Sequence, residues 1–204
     1  MMRVSEIAAL LDSLHDTHTF LVLPPRTHVH DYGFQMEMIG DRCYVVRVRA
    51  GSDAEKKGLR QGDEILDLRG NPGGYVDTLD RLLGGLFQND LKICDRVGRD
   101  GTKSMSAMGR HHDAFTGRFA VLIDSESASA SEVLARVVQI ERRGFIVGDR
   151  SSGSVMEARH YPHEVSIDSR VSYAPSVTDA DLVMTDGKTL EPVGVEPDIV
   201  VFAD

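Results

Sequence analysis

AVLIDSESASASEVLARVVQIERRGFIVGDRSSG, residues 120–153, opens with an unbroken apolar run at 120–123 and passes through a Ser/Ala-rich turn. Apolar residues then recur at helical spacing, as Val133, Leu134, Val137 and Val138, and a second apolar run follows at 145–147. The order strand, sharp turn, helix, strand predicts a βαβ unit over a parallel sheet. Glu132 falls in the first helical turn, Arg142 and Arg143 in the last, and Gly144 just beyond, which suits the charge and capping preferences of helix ends. Sites in such sheets form beyond the carboxyl ends of the strands, and serines fill that position here. Ser129 stands at the start of the helix, where the N–H of Ala130 has no intrahelical acceptor. Two uses of Ser129 stay open on local spacing. It is a nucleophile if a base and backbone oxyanion donors accompany it; with Glu132 it is an S-x-x-E capping box, the commoner use of that spacing.

Upstream, DLRGNPGGYVDTLDRLLGGLF (67–87) has the same order. A strand at 65–68 enters the turn Asn71-Pro72-Gly73-Gly74 and leaves as an amphipathic helix expected to turn Val76, Leu79, Leu82, Leu83 and Leu86 inward. Glycines let backbone N–H groups converge, so this turn is either an oxyanion or phosphate cradle or a tight βα turn that needs positive φ. Residues 91–110 read as a polar hairpin around Arg99-Asp100-Gly101.

Further out, Tyr32-Gly33-Phe34 precedes an alternation, Tyr44, Val46 and Val48, that suggests a half-buried strand. AGSDAEKKGLRQGDEIL follows, with Gly58 and Gly62 punctuating a short helix and a turn. At the other end, residues 151–159 are a Ser/Gly turn leading into extended chain, and 165–173 alternate weakly. LVMTDGKTLEPVGVEPDIVV closes the chain around an Asp186-Gly187 turn. Near the start, Ile7, Leu10, Leu11 and Leu14 form a helical stripe behind Ser5 as N-cap, followed by DTHTF at 16–20. Eight histidines, among them His15/His18, His28/His30 and His160/His163, come without a metal-binding motif, so neither a metal nor a cofactor is expected.

The 204 residues suffice for one sizeable domain, or one with a small appendage, and 41% apolar with 27% charged residues is ordinary for a globular protein. A net charge of −9 argues against nucleic acid or an anionic membrane as partner. No run is long enough to span a bilayer. Glu6 and Asp12 break up the apolar residues a signal peptide would need, so the sequence as written reads as cytoplasmic. Cys43 and Cys94 are read as buried free thiols.

Taken in order, DTHT, the Tyr-Gly-Phe turn with GS-A---GL--GD-I, DLRGNPGG, ESASASE, GDRSSG and LEPVGVEPD resemble the C-terminal-processing (tail-specific) serine peptidase family over nearly the whole chain. The resemblance implies an α/β fold with a Clp-protease/crotonase-like core of βαβ units, plus a partial PDZ-like β-rich segment. It divides the chain into 1–30, an N-terminal helix and His-bearing segment; 31–66, a truncated PDZ-like segment; and 67–204, the peptidase core. By the same resemblance Ser129 attacks a peptide carbonyl, while Ala130, Gly73 and Gly74 supply oxyanion donors. Tyr32, Gly33 and Phe34 form a peptide-binding turn. One branch of the family takes its base from a lysine in a G-K-G turn. The matching place here is Gly153-Ser154, and no lysine lies between Lys103 and Lys188. The branch resembling the tricorn core uses a Ser/Thr-His pair and a later Glu, which Thr17-His18 and Glu191 match.

The implied activity is serine endopeptidase action on peptides or unfolded proteins. The alternative is a catalytically impaired, PDZ-like peptide-binding protein; a crotonase-type acyl-CoA enzyme is weaker, since an ASASE turn has no purpose there. Family members insert more chain between the motifs that abut here at Leu66-Asp67, and they are often extracytoplasmic. A shortened relative exposes a sheet edge that invites homo-oligomer formation.

Overall fold

A computed structural model describes residues 32–160, 163–166, 170–173 and 176–201. The N-terminal stripe and the pair Thr17-His18 lie outside these residues. In chain order the elements are β1 (Phe34–Ile39), β2 (Arg42–Val48), α1 (Asp53–Lys57), β3 (Glu64–Asp67) and α2 (Val76–Leu86). The hairpin β4 (Leu91–Gly98) and β5 (Gly101–Ala107) follows, then β6 (Phe119–Ile123), α3 (Ala130–Ile140) and β7 (Phe145–Gly148). The chain continues through β8 (Met156–His160), β9 (His163–Ser166), β10 (Arg170–Tyr173), β11 (Ser176–Met184) and β12 (Ile199–Val200).

Two main sheets result. The larger runs β1-β2-β3-β6-β7-β12; its β3, β6, β7 and β12 are parallel neighbours, while β1 and β2 extend it antiparallel. The strands of residues 31–66 are thus continuous with the sheet that carries the βαβ unit. The smaller, antiparallel sheet runs β5-β4-β11-β8, and β9 pairs with β10.

β6 shows why its sequence is apolar without alternation. Phe119, Val121 and Ile123 enter the core under α2, α3 and the smaller sheet, whereas Ala120 and Leu122 join Phe34, Val45, Ala54, Leu59 and Ile199 on the opposite face. A central parallel strand is covered on both faces, so both sets of side chains are apolar. α3 turns Val133, Leu134, Val137 and Val138 onto the first face, as its spacing predicts. Each such fully buried aliphatic side chain contributes roughly 1.5–3 kcal/mol.

Three expectations need correction. α3 ends at Ile140, not at Arg143: Arg142 takes φ 52° beyond it, and no basic residue stands in the last turn. Arg143 instead donates to the carbonyls of Leu86, Phe115 and Gly117 and stacks on Phe119, so it binds loops rather than complementing the helix. On α2, Leu79 and Leu83 are buried and Leu86 half-buried, but Val76 and Leu82 face outward, each lining a surface groove. In β2 the deeply buried residue is Val45 rather than Tyr44, Val46 or Val48: Val45 belongs to the cluster of Ala54 and Leu59, against which Val48 is half-buried. Both cysteines are free, Cys94 buried and Cys43 half-buried.

Candidate active site

Three loops meet at the carboxyl edge of adjacent parallel strands: Leu68 to Tyr75 after β3, Asp124 to Ser129 after β6, and Asp149 to Val155 after β7. Hydrogen bonds sew them together. Ala128 N–H donates to Asn71 C=O at 3.0 Å, Ser129 N–H to Ser154 C=O at 3.0 Å, and Ser152 N–H to Ser127 C=O at 3.0 Å. The buried Ser127 hydroxyl donates to Leu68 C=O at 2.8 Å, and Asp124 Oδ1 accepts from Gly70 N–H at 3.0 Å.

Ser129, half-buried, has φ 56° and ψ −121°, a conformation that side-chain-bearing residues rarely adopt. An ordinary N-cap residue is extended. Strain of this kind costs of order 1–3 kcal/mol and persists only where surroundings impose it, as at a nucleophile held on a sharp strand-to-helix turn.

The surroundings that impose it centre on Glu132. This carboxylate is fully buried and accepts four hydrogen bonds: Ser151 Oγ–H at 2.6 Å and Gly153 N–H at 2.8 Å on Oε1, Ser129 N–H and Ser154 N–H, both at 3.0 Å, on Oε2. A buried charge is tolerable only when it is satisfied in this way. The bond to Ser129 N–H is the Glu half of a capping box, yet three of the four donors come from the loop after β7. Ser151 Oγ in turn accepts from Val195 N–H at 2.6 Å, which extends the tie to the C-terminal segment.

Gly73 lies against this turn. It has φ 102°, and a Cβ there would stand 2.8 Å from Ala128 C=O and 2.9 Å from Ala130 N. The turn therefore needs glycine for two reasons at once, conformation and approach. Gly73 N–H donates to Asn71 Oδ1 at 2.9 Å. Neither Gly74 N–H nor Ala130 N–H makes a hydrogen bond among the described residues.

Gly74, Ser129 and Ala130 line one wall of a cleft of ≈ 440 Å³. Val76 and Leu79 of α2, Val133 of α3, Met105 and Leu182 of the smaller sheet, and Val155 complete an apolar surround. Glu191 stands one residue away from this lining: its Oε2 accepts from Val155 N–H at 2.7 Å. Of the residues expected to act together, Ser129, Ala130, Gly73 and Gly74 are adjacent. Tyr32, Gly33 and Phe34 line no part of the cleft; Phe34 is buried at the start of β1, and Tyr32 Oη accepts from Arg69 Nη1 at 2.7 Å.

The model of peptidase family S41 matches residues 52–201. The chain belongs to that family. The family match begins at residue 52, inside the stretch 31–66 read as PDZ-like. A carboxy-terminal-processing protease of Bartonella bacilliformis is 31% identical over 67% of this chain and 30% of its own length. A carboxyl-terminal-processing protease of Synechocystis is 39% identical over 44% of this chain and 20% of its own. Among solved structures, a photosystem II D1 C-terminal processing protease superposes with a TM-score of 0.52 at 25% identity, over 69% of this chain and 34% of that one. This chain thus spans about a third or less of these S41 relatives. Its α/β core is the Clp-protease/crotonase-like core of S41 peptidases, and the relatives' names are those of C-terminal-processing proteases.

Sequence reasoning overlooked Asn71, Ser127 and Ser151, and it gave Glu132 only a capping role. Asn71 opens the turn read as a cradle or a tight βα turn, while Ser151 sits in a turn whose composition signals a loop and nothing more. A glutamate beside three apolar helical residues, Val133, Leu134 and Ala135, is the signal that was available for burial.

Proposed function

We propose that this chain is a serine endopeptidase acting on peptides or unfolded proteins. In this reading Ser129 is the nucleophile, His18 of the Thr17-His18 pair the general base, and Glu191 the carboxylate that orients it. Residues 1–30 bring the base, 67–204 the nucleophile, and 31–66, truncated and PDZ-like, contribute peptide binding through Tyr32, Gly33 and Phe34. Ser129 Oγ attacks the scissile carbonyl carbon as His18 takes its proton. The oxyanion falls to the N–H groups of Ala130 and Gly74, with Gly73 joining only if it releases Asn71. The C–N bond breaks as the imidazolium protonates the leaving nitrogen, and water, giving its proton to the same histidine, hydrolyses the acyl-serine to a carboxylic acid. The observation that supports this most is the strained Ser129 turn on the wall of an apolar cleft, beside two backbone donors not otherwise engaged.

Fluorophosphonate labelling and casein hydrolysis test it. The expected result is that the parent labels and Ser129→Ala does not. A folded parent that is inert to the reagent at every pH, yet binds peptides, would leave the non-catalytic reading.

A further inference from the structure

We propose that the cleft beside Ser129 selects a substrate side chain with an apolar stem and a cationic end, lysine or arginine, and that Glu157 makes the selection. This rests on the peptidase reading. The walls formed by Val76, Leu79, Met105, Val133 and Leu182 offer a methylene stem an apolar lining. Among the described residues of that lining, Glu157, on β8, is the one acidic or basic side chain.

Its carboxylate is fixed. Glu157 Oε2 accepts from Arg96 Nε–H at 2.5 Å, and Arg96 Nη2–H donates to Asp179 Oδ2 at 2.5 Å. The Arg96 side chain is only 15% exposed. Asp179 lies where the β11 register shifts, between Thr178 and Ala180, and such a bulge re-aims a side chain. Arg96 holds Glu157 through Oε2, and Glu157 Oε1 has no partner among the described residues. A substrate cation gains a pre-oriented acceptor there; a neutral aliphatic chain leaves that oxygen unanswered, and a carboxylate meets repulsion.

The test is a peptide set in which each position in turn carries lysine, arginine, norleucine or glutamate, with kcat/KM measured for the parent and Glu157→Gln. At one position the parent is expected to favour lysine or arginine over norleucine by about 10-fold or more, with glutamate slowest. Glu157→Gln should erase that preference while the norleucine rate changes less than about threefold, since an isosteric amide keeps the apolar fit. Norleucine preferred everywhere, or an unchanged ratio in Glu157→Gln, overturns the proposal. Should Glu157→Gln fail to fold, Asp179→Asn is expected to lower the lysine-to-norleucine ratio; an unchanged or raised ratio counts against the cluster. If the parent does not hydrolyse peptides, the peptidase reading fails by itself. The Kd ratio of the same peptides, in parent and Glu157→Gln, then decides the selectivity.

Discussion

A Cβ placed on Gly73 would stand 2.6 Å from the Cβ of Ser129. The two residues, 56 positions apart in the chain, therefore meet backbone to side chain with no room for a methyl group, and the oxyanion-side turn and the serine turn are one packed unit.

Gly73→Ala follows from this contact. The added methyl clashes with Ser129, and φ 102° is unfavourable for alanine, so a stability loss of about 1–3 kcal/mol is expected together with at least a 100-fold loss of activity. Urea denaturation and the labelling rate per folded molecule separate the two effects. A variant that is destabilised but labels at the parent rate would show that the contact is structural alone.

Glu132→Gln turns an acceptor of four hydrogen bonds into a side chain whose amide N–H₂ faces donors. The cost is expected to be about 3 kcal/mol or more, since hydrogen bonds to a charged group are the strong ones and buried donors are left unmatched. Equilibrium urea unfolding measures it. A shift under about 0.5 kcal/mol, the size of an ordinary surface substitution, would mean that the loop is held by other means.

Cys94 carries a prediction at alkaline pH. Burial among Ile93, Met105 and Met184 pushes its thiol from 9.0 up to about 11. The folded state therefore prefers the neutral thiol. That preference contributes full stability below pH 9 and is lost as pH rises from 9 through 11. Stability should fall over this window in the parent and fall less in Cys94→Ala, and native Cys43 should alkylate faster than Cys94.

The proposed base sets the pH profile. A histidine works as a base only when neutral, so kcat/KM should rise through an apparent pKa near 6.5, moved upward if a carboxylate stabilises the imidazolium. Comparison of His18→Ala and Glu191→Gln with Lys188→Met decides it: loss of turnover in Lys188→Met with retention in His18→Ala would reject the assignment.

The elements that sequence reading located well are those whose physics is local. The apolar runs of β6 and β7, the spacing of α3 and the Asp186-Gly187 turn each state their structure within a few residues. What local pattern cannot state is which face of a strand the rest of the chain covers, and for that reason Val45, clustered with Ala54 and Leu59, proved to be the buried residue of β2. α3 was read too long because Arg142 and Arg143 suit a helix end in isolation, whereas Arg143 is drawn to three carbonyls from distant loops. The site divides in the same way. Ser129, Ala130 and the Gly73-Gly74 turn announced themselves through short motifs, while the reach of Glu132 across to Ser151, Gly153 and Ser154 depends on chain that returns from the next strand.

The hub at Glu132 also imposes an order in time. During synthesis the Ser129 turn is made before the Ser151 to Ser154 loop, and the bond from Val195 N–H to Ser151 Oγ can form only once Val195 has been made. Domains complete their folding as units, after the residues they need are available. The strained conformation of Ser129 thus depends on chain made after it: a nascent chain stopped short of residue 151 carries the serine without three of the four donors that hold Glu132.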